Sequence, residues 1–221
     1  MIQIEPAIKL KGIIFDLDGT LGNTLPVCFA AFRRALQQFS SGDYTNDEIA
    51  ALFGPSEEGI IQRVVHSQWE ACLQTYLIEY EKAHSLCAQP FAGIEAALSL
   101  CKHNQIALAI VTGKGQYSTA ISLRYMGLAD YFEIVETGCA EGAIKTVSIQ
   151  NVLTQWNLLP QNVAYVGDSP YDMSAAKQVG VIPLAAAWAE TTSVESLNQM
   201  APAATFSTVE SLIDWICTHR M

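Results

Sequence analysis

The segment Gly12-Ile13-Ile14-Phe15-Asp16-Leu17-Asp18-Gly19-Thr20 carries the most structural information in the chain. An unbroken apolar run rich in β-branched and aromatic residues halts at two carboxylates and a glycine. Such a short run, with no polar alternation, predicts a β-strand buried on both faces. The signature recurs: 106–111 ends at Thr112-Gly113, 163–166 ends at Gly167-Asp168, and 181–187 follows Gly180. A weaker copy spans 132–135. Helical patterns lie between these runs, over 93–103, 117–125, 146–156 and 171–179. Strands alternating with helices predict βαβ units and an α/β fold built on a doubly wound parallel sheet. Ligands of such sheets bind beyond the carboxyl ends of the strands, where Asp16, Thr112 and Asp168 stand.

Residues 22–89 do not follow this rhythm and carry helix signals without a strand. Thr45-Asn46-Asp47-Glu48 fits a capping box and opens a short helix to Phe53, stopped by Gly54-Pro55. Ser56 followed by Glu57 and Glu58 is a second helix start, with acidic charge against the helix dipole. From Trp69 onward, Trp69, Cys72, Leu73, Tyr76, Leu77, Tyr80 and His84 form one apolar stripe at helical spacing. The expected organisation is therefore a core domain from 1–21 and 90–221, interrupted by an all-helical cap, 22–89. A helical insert that leaves just after the Asp-bearing strand is placed to act as a lid. At roughly 150 residues per domain, 221 residues suit one domain carrying such an insertion.

Composition narrows the function. Half the residues are apolar and 15% are charged, which excludes disorder as the main state. Twelve Lys and Arg face 22 Asp and Glu, a net charge of −10 that opposes a nucleic-acid partner. Cys28, Cys72, Cys87, Cys101, Cys139 and Cys217 lie far apart without a CxxC pair. With no secretory signal read at the start, they are expected to be reduced, buried fillers in a cytoplasmic protein. No apolar stretch approaches the ~20 residues that span a bilayer, so no membrane partner is expected.

Asp16 and Asp18, two residues apart past a buried strand, are costly to arrange unless neutralised. A hard divalent cation such as Mg²⁺, which takes oxygen ligands and keeps water, answers that need. Gly167-Asp168-Ser169-Pro170-Tyr171-Asp172 supplies a second acidic cluster, and Lys145 opens the helix leading into its strand. Asp168 ends a strand. Asp172 falls in the first turn of a helix, where its charge also suits the helix N-terminus.

Taken in order, DLDGT at 16–20, Thr112, Lys145 and GDSPYDM at 167–173 resemble the four motifs of the haloacid-dehalogenase-like superfamily. The early helical insert is similar to that of the phosphoglycolate phosphatase and β-phosphoglucomutase branch. The resemblance spans nearly the whole chain, and the combination is far more specific than either acidic motif alone. It implies Asp16 as the nucleophile forming a phosphoaspartyl intermediate, and Asp18 as general acid and base. It implies Thr112, with the Gly113 amide beside it, as the phosphoryl contact, and Lys145 as the cation offsetting charge. The implied Mg²⁺ ligands are Asp16, the Asp18 backbone carbonyl and Asp168, with Asp172 orienting metal-bound water. The second Asp separates this pattern from the dehalogenase branch, and the implied strand order makes the first, second and fourth strands neighbours.

Three positions depart from the pattern. Gly22-Asn23-Thr24 stands where relatives often place an acidic residue before Ser or Thr, Gly113 replaces Asn or Ser, and Thr146 replaces Pro. Some side chains carry two readings. Lys114 is either a contact for a substrate phosphate or carboxylate or a surface lysine, and Arg63 either holds an anionic substrate or is a surface arginine. His84 reads as a packed core histidine rather than a ligand, and the 69–80 stripe as lid core. The resemblance implies Mg²⁺-dependent hydrolysis of a small phosphate monoester, phosphoglycolate-like or a sugar phosphate. A phosphosugar mutase, a pyrophosphatase, and a weakly catalytic regulatory or binding protein are the alternatives. The expected partner is a small phosphorylated metabolite, and the sequence leaves a monomer or a weak dimer open.

Overall fold

A computed structural model describes residues 9–40, 42–85 and 89–220. The strands β1 (Gly12–Phe15), β2 (Ala107–Val111), β3 (Ile134–Glu136), β4 (Val163–Gly167), β5 (Ile182–Ala186) and β6 (Ala204–Phe206) form one parallel sheet. Their order is β3-β2-β1-β4-β5-β6, which puts β1 between β2 and β4. Ile14 is in register with Ala109 on one side and Tyr165 on the other. The expected doubly wound α/β architecture is the one observed.

The apolar run of β1 has a simple cause. Ile13 and Phe15 enter a core shared with α5 (Ile94–His103) and α10 (Val209–His219), while Ile14 enters the opposite core with α7 (Lys145–Trp156) and α8 (Pro170–Val179). Helices cover both faces, so neither set of alternate side chains meets water. All three are fully buried.

Several elements differ from expectation. β3 starts at Ile134, because Phe132 leaves the strand to pack edge-on against Phe15 at 6.4 Å. β6, α9 (Val194–Gln199) and α10 were not anticipated. The signal for α10 was present: Thr208 accepts from the Ser211 amide at 3.3 Å, and Val209, Leu212 and Ile216 share one buried face.

Between β1 and α5 the described chain is helical: α1 (Leu25–Phe39), α2 (Asn46–Ala50), α3 (Glu57–Val65) and α4 (Trp69–His84). The capping box on α2 is formed, with Thr45 N donating to Glu48 Oε2 at 2.8 Å and Glu48 N to Thr45 Oγ1 at 3.3 Å. That helix ends at Ala50 rather than Phe53, because the Leu52 and Phe53 amides close tighter turns onto Ile49 and Ala50. Ser56 precedes α3, but its hydroxyl donates to Glu58 at 2.6 Å instead of capping. The four helices share their own core, in which Phe32, Leu36, Ile49, Ile61, Tyr76 and Tyr80 are buried. This layer rests on α6 (Gln116–Tyr125), where the Tyr80 hydroxyl lies 2.8 Å from Ser122 Oγ.

His84 is fully buried, its Nε2 3.0 Å from Ser122 Oγ and its ring stacked on Tyr125 at 5.4 Å, a packed histidine as expected. Cys28, Cys72 and Cys101 are buried, but Cys139 is half-buried and Cys217 exposed, so the filler reading fails for those two; Cys87 lies outside the described residues. Among the described residues, no helix is long and apolar enough to cross a membrane.

Candidate active site

The carboxyl ends of β1, β2 and β4 converge because these strands are adjacent, and their loops form the floor of a cavity of about 610 Å³. Asp16 follows β1 directly, its amide held by the Val166 carbonyl at 2.9 Å. Its carboxylate is 3.1 Å from Lys145 Nζ. Burial pushes the Asp16 carboxyl up to about 6, against the pull of Lys145 and with the repulsion of Asp172 and Asp18.

Lys145 opens α7 and is itself buried, with Nζ 2.5 Å from Asp172 Oδ1. Burial opposes its charge, yet Asp16 and Asp172 hold it well above the ordinary lysine value. Asp172 is fully buried in the first turn of α8. Its Oδ1 also accepts from the Tyr165 hydroxyl at 3.2 Å, and its Oδ2 from Ser169 N at 3.0 Å and Ser169 Oγ at 2.7 Å. Asp172 therefore closes a capping box and anchors Lys145, and lies beneath the cavity rather than on its wall.

Asp18 lies further along the same loop, bridged to Gly22. Its Oδ1 accepts from the Thr24 hydroxyl and its Oδ2 is 3.3 Å from Lys114 Nζ. Thr112 follows β2, buried, with its hydroxyl accepting from the Lys114 amide at 3.3 Å. Gly113 lines the cavity beside it, and Gly138 packs so close that a Cβ there would meet the Gly113 carbonyl at 2.0 Å.

Asp168 follows β4. Burial, then the charges of Asp172 and Asp16, push its carboxyl well above the usual carboxylate range. Asp16, Asp168 and Asp172 each offer a carboxylate oxygen, all within 4.8 Å of one another. Gly19 has φ +75°, and a Cβ at that position would fall 2.2 Å from Asp168 Oδ2, so glycine lets this carboxylate close onto the loop. An all-oxygen cluster with two carboxylates raised by burial and by neighbouring acidic charge fits a hard divalent cation. With Asp172 engaged on both oxygens, the available side-chain ligands are Asp16 and Asp168.

Asp16, Asp18, Thr112, Gly113, Lys114, Lys145 and Asp168 thus surround one cavity. Two sequence readings change. Lys114 is neither a surface lysine nor free for a ligand: it is buried, with Nζ 3.3 Å from Asp18 Oδ2 and 3.2 Å from Glu57 Oε1, over the Tyr80 ring at 4.6 Å. Arg63 is exposed and donates to the Glu141 carbonyl at 3.3 Å, away from the cavity wall. Glu57 was missed as a site residue. It is buried on the wall, accepting from Gly115 N at 2.5 Å, Ser118 Oγ at 2.6 Å and Tyr76 OH at 3.3 Å. Burial works against its charge, but Lys114 and these donors hold its carboxyl below the ordinary value.

The family model described as haloacid dehalogenase-like hydrolase matches residues 13–186. A phosphoglycolate phosphatase of Neisseria meningitidis is 28% identical over 184 residues, 78% of each chain. Pyrophosphatase PpaX of Bacillus pumilus is 25% identical over 181 residues, 81% of this chain and 84% of that one. A haloacid dehalogenase-like hydrolase structure from Streptococcus pneumoniae superposes with a TM-score of 0.76 at 22% identity, covering 94% of this chain and 98% of its own.

Proposed function

The chain belongs to the haloacid dehalogenase-like hydrolase family, and we propose that it hydrolyses a small phosphate monoester with Mg²⁺ through an aspartyl-phosphate intermediate. One observation carries this reading: two carboxylates with different partners, Asp16 with Lys145 and Asp18 with Lys114, open onto one cavity beside Thr112 and Gly113. That is the division of labour double displacement at phosphorus needs. An Asp16 oxygen attacks phosphorus and forms the acyl phosphate. Asp18 gives its proton to the departing alkoxide, then takes one from the water that cleaves the intermediate, releasing phosphate and restoring Asp16. Lys145 offsets charge on Asp16 and the transferring group, while the Thr112 hydroxyl and Gly113 amide donate to phosphoryl oxygens. Asp16, Asp168 and the Asp18 backbone carbonyl would hold Mg²⁺, which would supply Lewis-acid neutralisation of phosphoryl charge. Asp172 acts by orienting Lys145.

The domain division belongs to the same reading: residues 1–21 and 90–221 carry the chemistry, and 22–89 form a cap that shuts bulk water out. The partner is a small phosphorylated metabolite. Phosphate release should depend on Mg²⁺ and vanish in Asp16→Asn; full activity in that variant defeats the mechanism. Pyrophosphate hydrolysis is a second reading, favoured by the similarity to pyrophosphatase PpaX, and pyrophosphate belongs in the same assay. A mutase would isomerise a hexose 1-phosphate rather than release phosphate.

A further inference from the structure

The cavity is charged on the floor and apolar on the roof. Of the 12 Lys and Arg residues, Lys114 and Lys145 alone line it among the described residues. Both are engaged: Lys145 by Asp16 and Asp172 at the phosphoryl end, Lys114 by Asp18 and Glu57. The cations of the helical layer are held elsewhere, Arg33 on the Tyr44 carbonyl at 3.2 Å, Arg34 and Lys82 on Glu79 at 2.7 Å, and Arg63 on the Glu141 carbonyl at 3.3 Å. The roof facing the phosphoryl site is Leu25, Phe29, Phe32, Phe53 and Ile60, and its one charged group is the Glu57 carboxylate. Phe29 and Phe53 stack with centroids 5.9 Å apart and planes within 4°, yet Phe53 remains 41% exposed.

We propose that the substrate's leaving group is an uncharged, largely apolar alcohol, seated against the Phe29–Phe53 face. This rests on the phosphatase reading of the same site and narrows its substrate class away from 2-phosphoglycolate, pyrophosphate and sugar phosphates. A second anionic group on the substrate would meet Glu57 and no free cation. Sugar hydroxyls set against the Phe29–Phe53 face would give up water for hydrocarbon and find no partner on it. An apolar group instead covers the exposed ring and gains from its own burial. About 610 Å³ accommodates such a group together with the phosphate.

The test compares kcat/KM of the full chain with Mg²⁺ on 2-phenylethyl phosphate, ethyl phosphate, 2-phosphoglycolate, glucose 6-phosphate and pyrophosphate. The four esters all release primary alkoxides, so binding dominates their differences. The phenylethyl ester is expected to exceed each of the others by about tenfold or more. Preference for 2-phosphoglycolate, glucose 6-phosphate or pyrophosphate overturns the substrate class and leaves the hydrolase reading standing. No phosphate from any of them defeats the phosphatase reading, and the substrate class with it. Phe53→Arg, at a position 41% exposed, gives a second measurement. It should lower phenylethyl phosphate turnover and raise that of 2-phosphoglycolate, moving their ratio about tenfold. An unchanged ratio overturns the seating against this face.

Discussion

Replacing Glu57 by Gln tests whether the buried cluster between the helical layer and the sheet is an ion pair that holds the two together. The substitution keeps the shape but leaves one acceptor oxygen where Gly115 N and Ser118 Oγ donate to two, and it removes the charge 3.2 Å from Lys114 Nζ. Breaking one partner of a buried pair costs about 3–5 kcal/mol, because the other charge is left uncompensated. Lys114 keeps Asp18 at 3.3 Å, which places the loss near the lower end, about 3 kcal/mol at pH 7. With a urea slope of about 3 kcal/mol/M, the midpoint falls by about 1 M. The sign with pH follows from the carboxyl being held below its ordinary 4.5. Its stabilisation is complete above that value and is lost as pH falls through the lower, folded value. The gap between wild type and Glu57→Gln should therefore close in acid, where both side chains are neutral. Urea titrations followed by far-ultraviolet circular dichroism at pH 7 and in acid make the comparison. A midpoint unmoved at pH 7, or a loss as large in acid as at neutrality, refutes the buried pair.

Asp16→Asn should lower turnover by at least about a thousandfold and shrink the rise in melting temperature that Mg²⁺ gives the wild type by binding the native state; an undiminished thermal shift removes Asp16 from the metal site. Gly19→Ala forces a Cβ to within 2.2 Å of Asp168 Oδ2 at a φ of +75°. It should weaken Mg²⁺ at least about tenfold, read by titrating activity with metal. Asp172→Ala removes half of the capping box on α8 and the buried partner of Lys145, at about 3 kcal/mol or more. Its kcat should fall well beyond any change in KM, and an unaltered kcat shows that Lys145 holds its place without Asp172.

The sheet was legible because β1, β2 and β4 are buried on both faces, and parallel strands under two helical layers leave an unbroken apolar run in the sequence. The floor of the site was legible for a related reason: its carboxylates and Thr112 end those runs. β6 was not, since Ala204-Thr205-Phe206 is too short for any period to show. Glu57 was read only as an acid in the first turn of a helix. Its partners Lys114, Gly115 and Ser118 lie 57, 58 and 61 residues away, so only tertiary contact reveals that it is buried. The same contact removes Lys114 from the role of substrate cation. The roof was half legible. α1 has an apolar stripe, but periodicity does not separate Ala35 and Leu36, which neighbouring helices cover, from Phe29, which opens onto the cavity.

The charge of the whole chain and the charge of the site raise the same question at different scales. A dianionic phosphate must approach a protein of net charge −10, and around the cavity Asp16, Asp18, Asp168, Asp172 and Glu57 outnumber Lys114 and Lys145. Fully ionised, that cluster is itself anionic, and burial together with the neighbouring carboxylates displaces Asp16 and Asp168 upward. The two lysines do not reverse it, because each is shared between two carboxylates. A divalent cation on Asp16 and Asp168, as proposed above, would relieve that repulsion and turn the local field toward the phosphate. The roof lies beyond this field and offers no cation of its own, so the charge on a substrate is best confined to its phosphate. Reactivity and selectivity therefore fall to different parts of the chain: to the strand ends, where the acidic motifs are fixed by the sheet, and to the helices inserted between β1 and α5, whose apolar face can change without disturbing a single ligand.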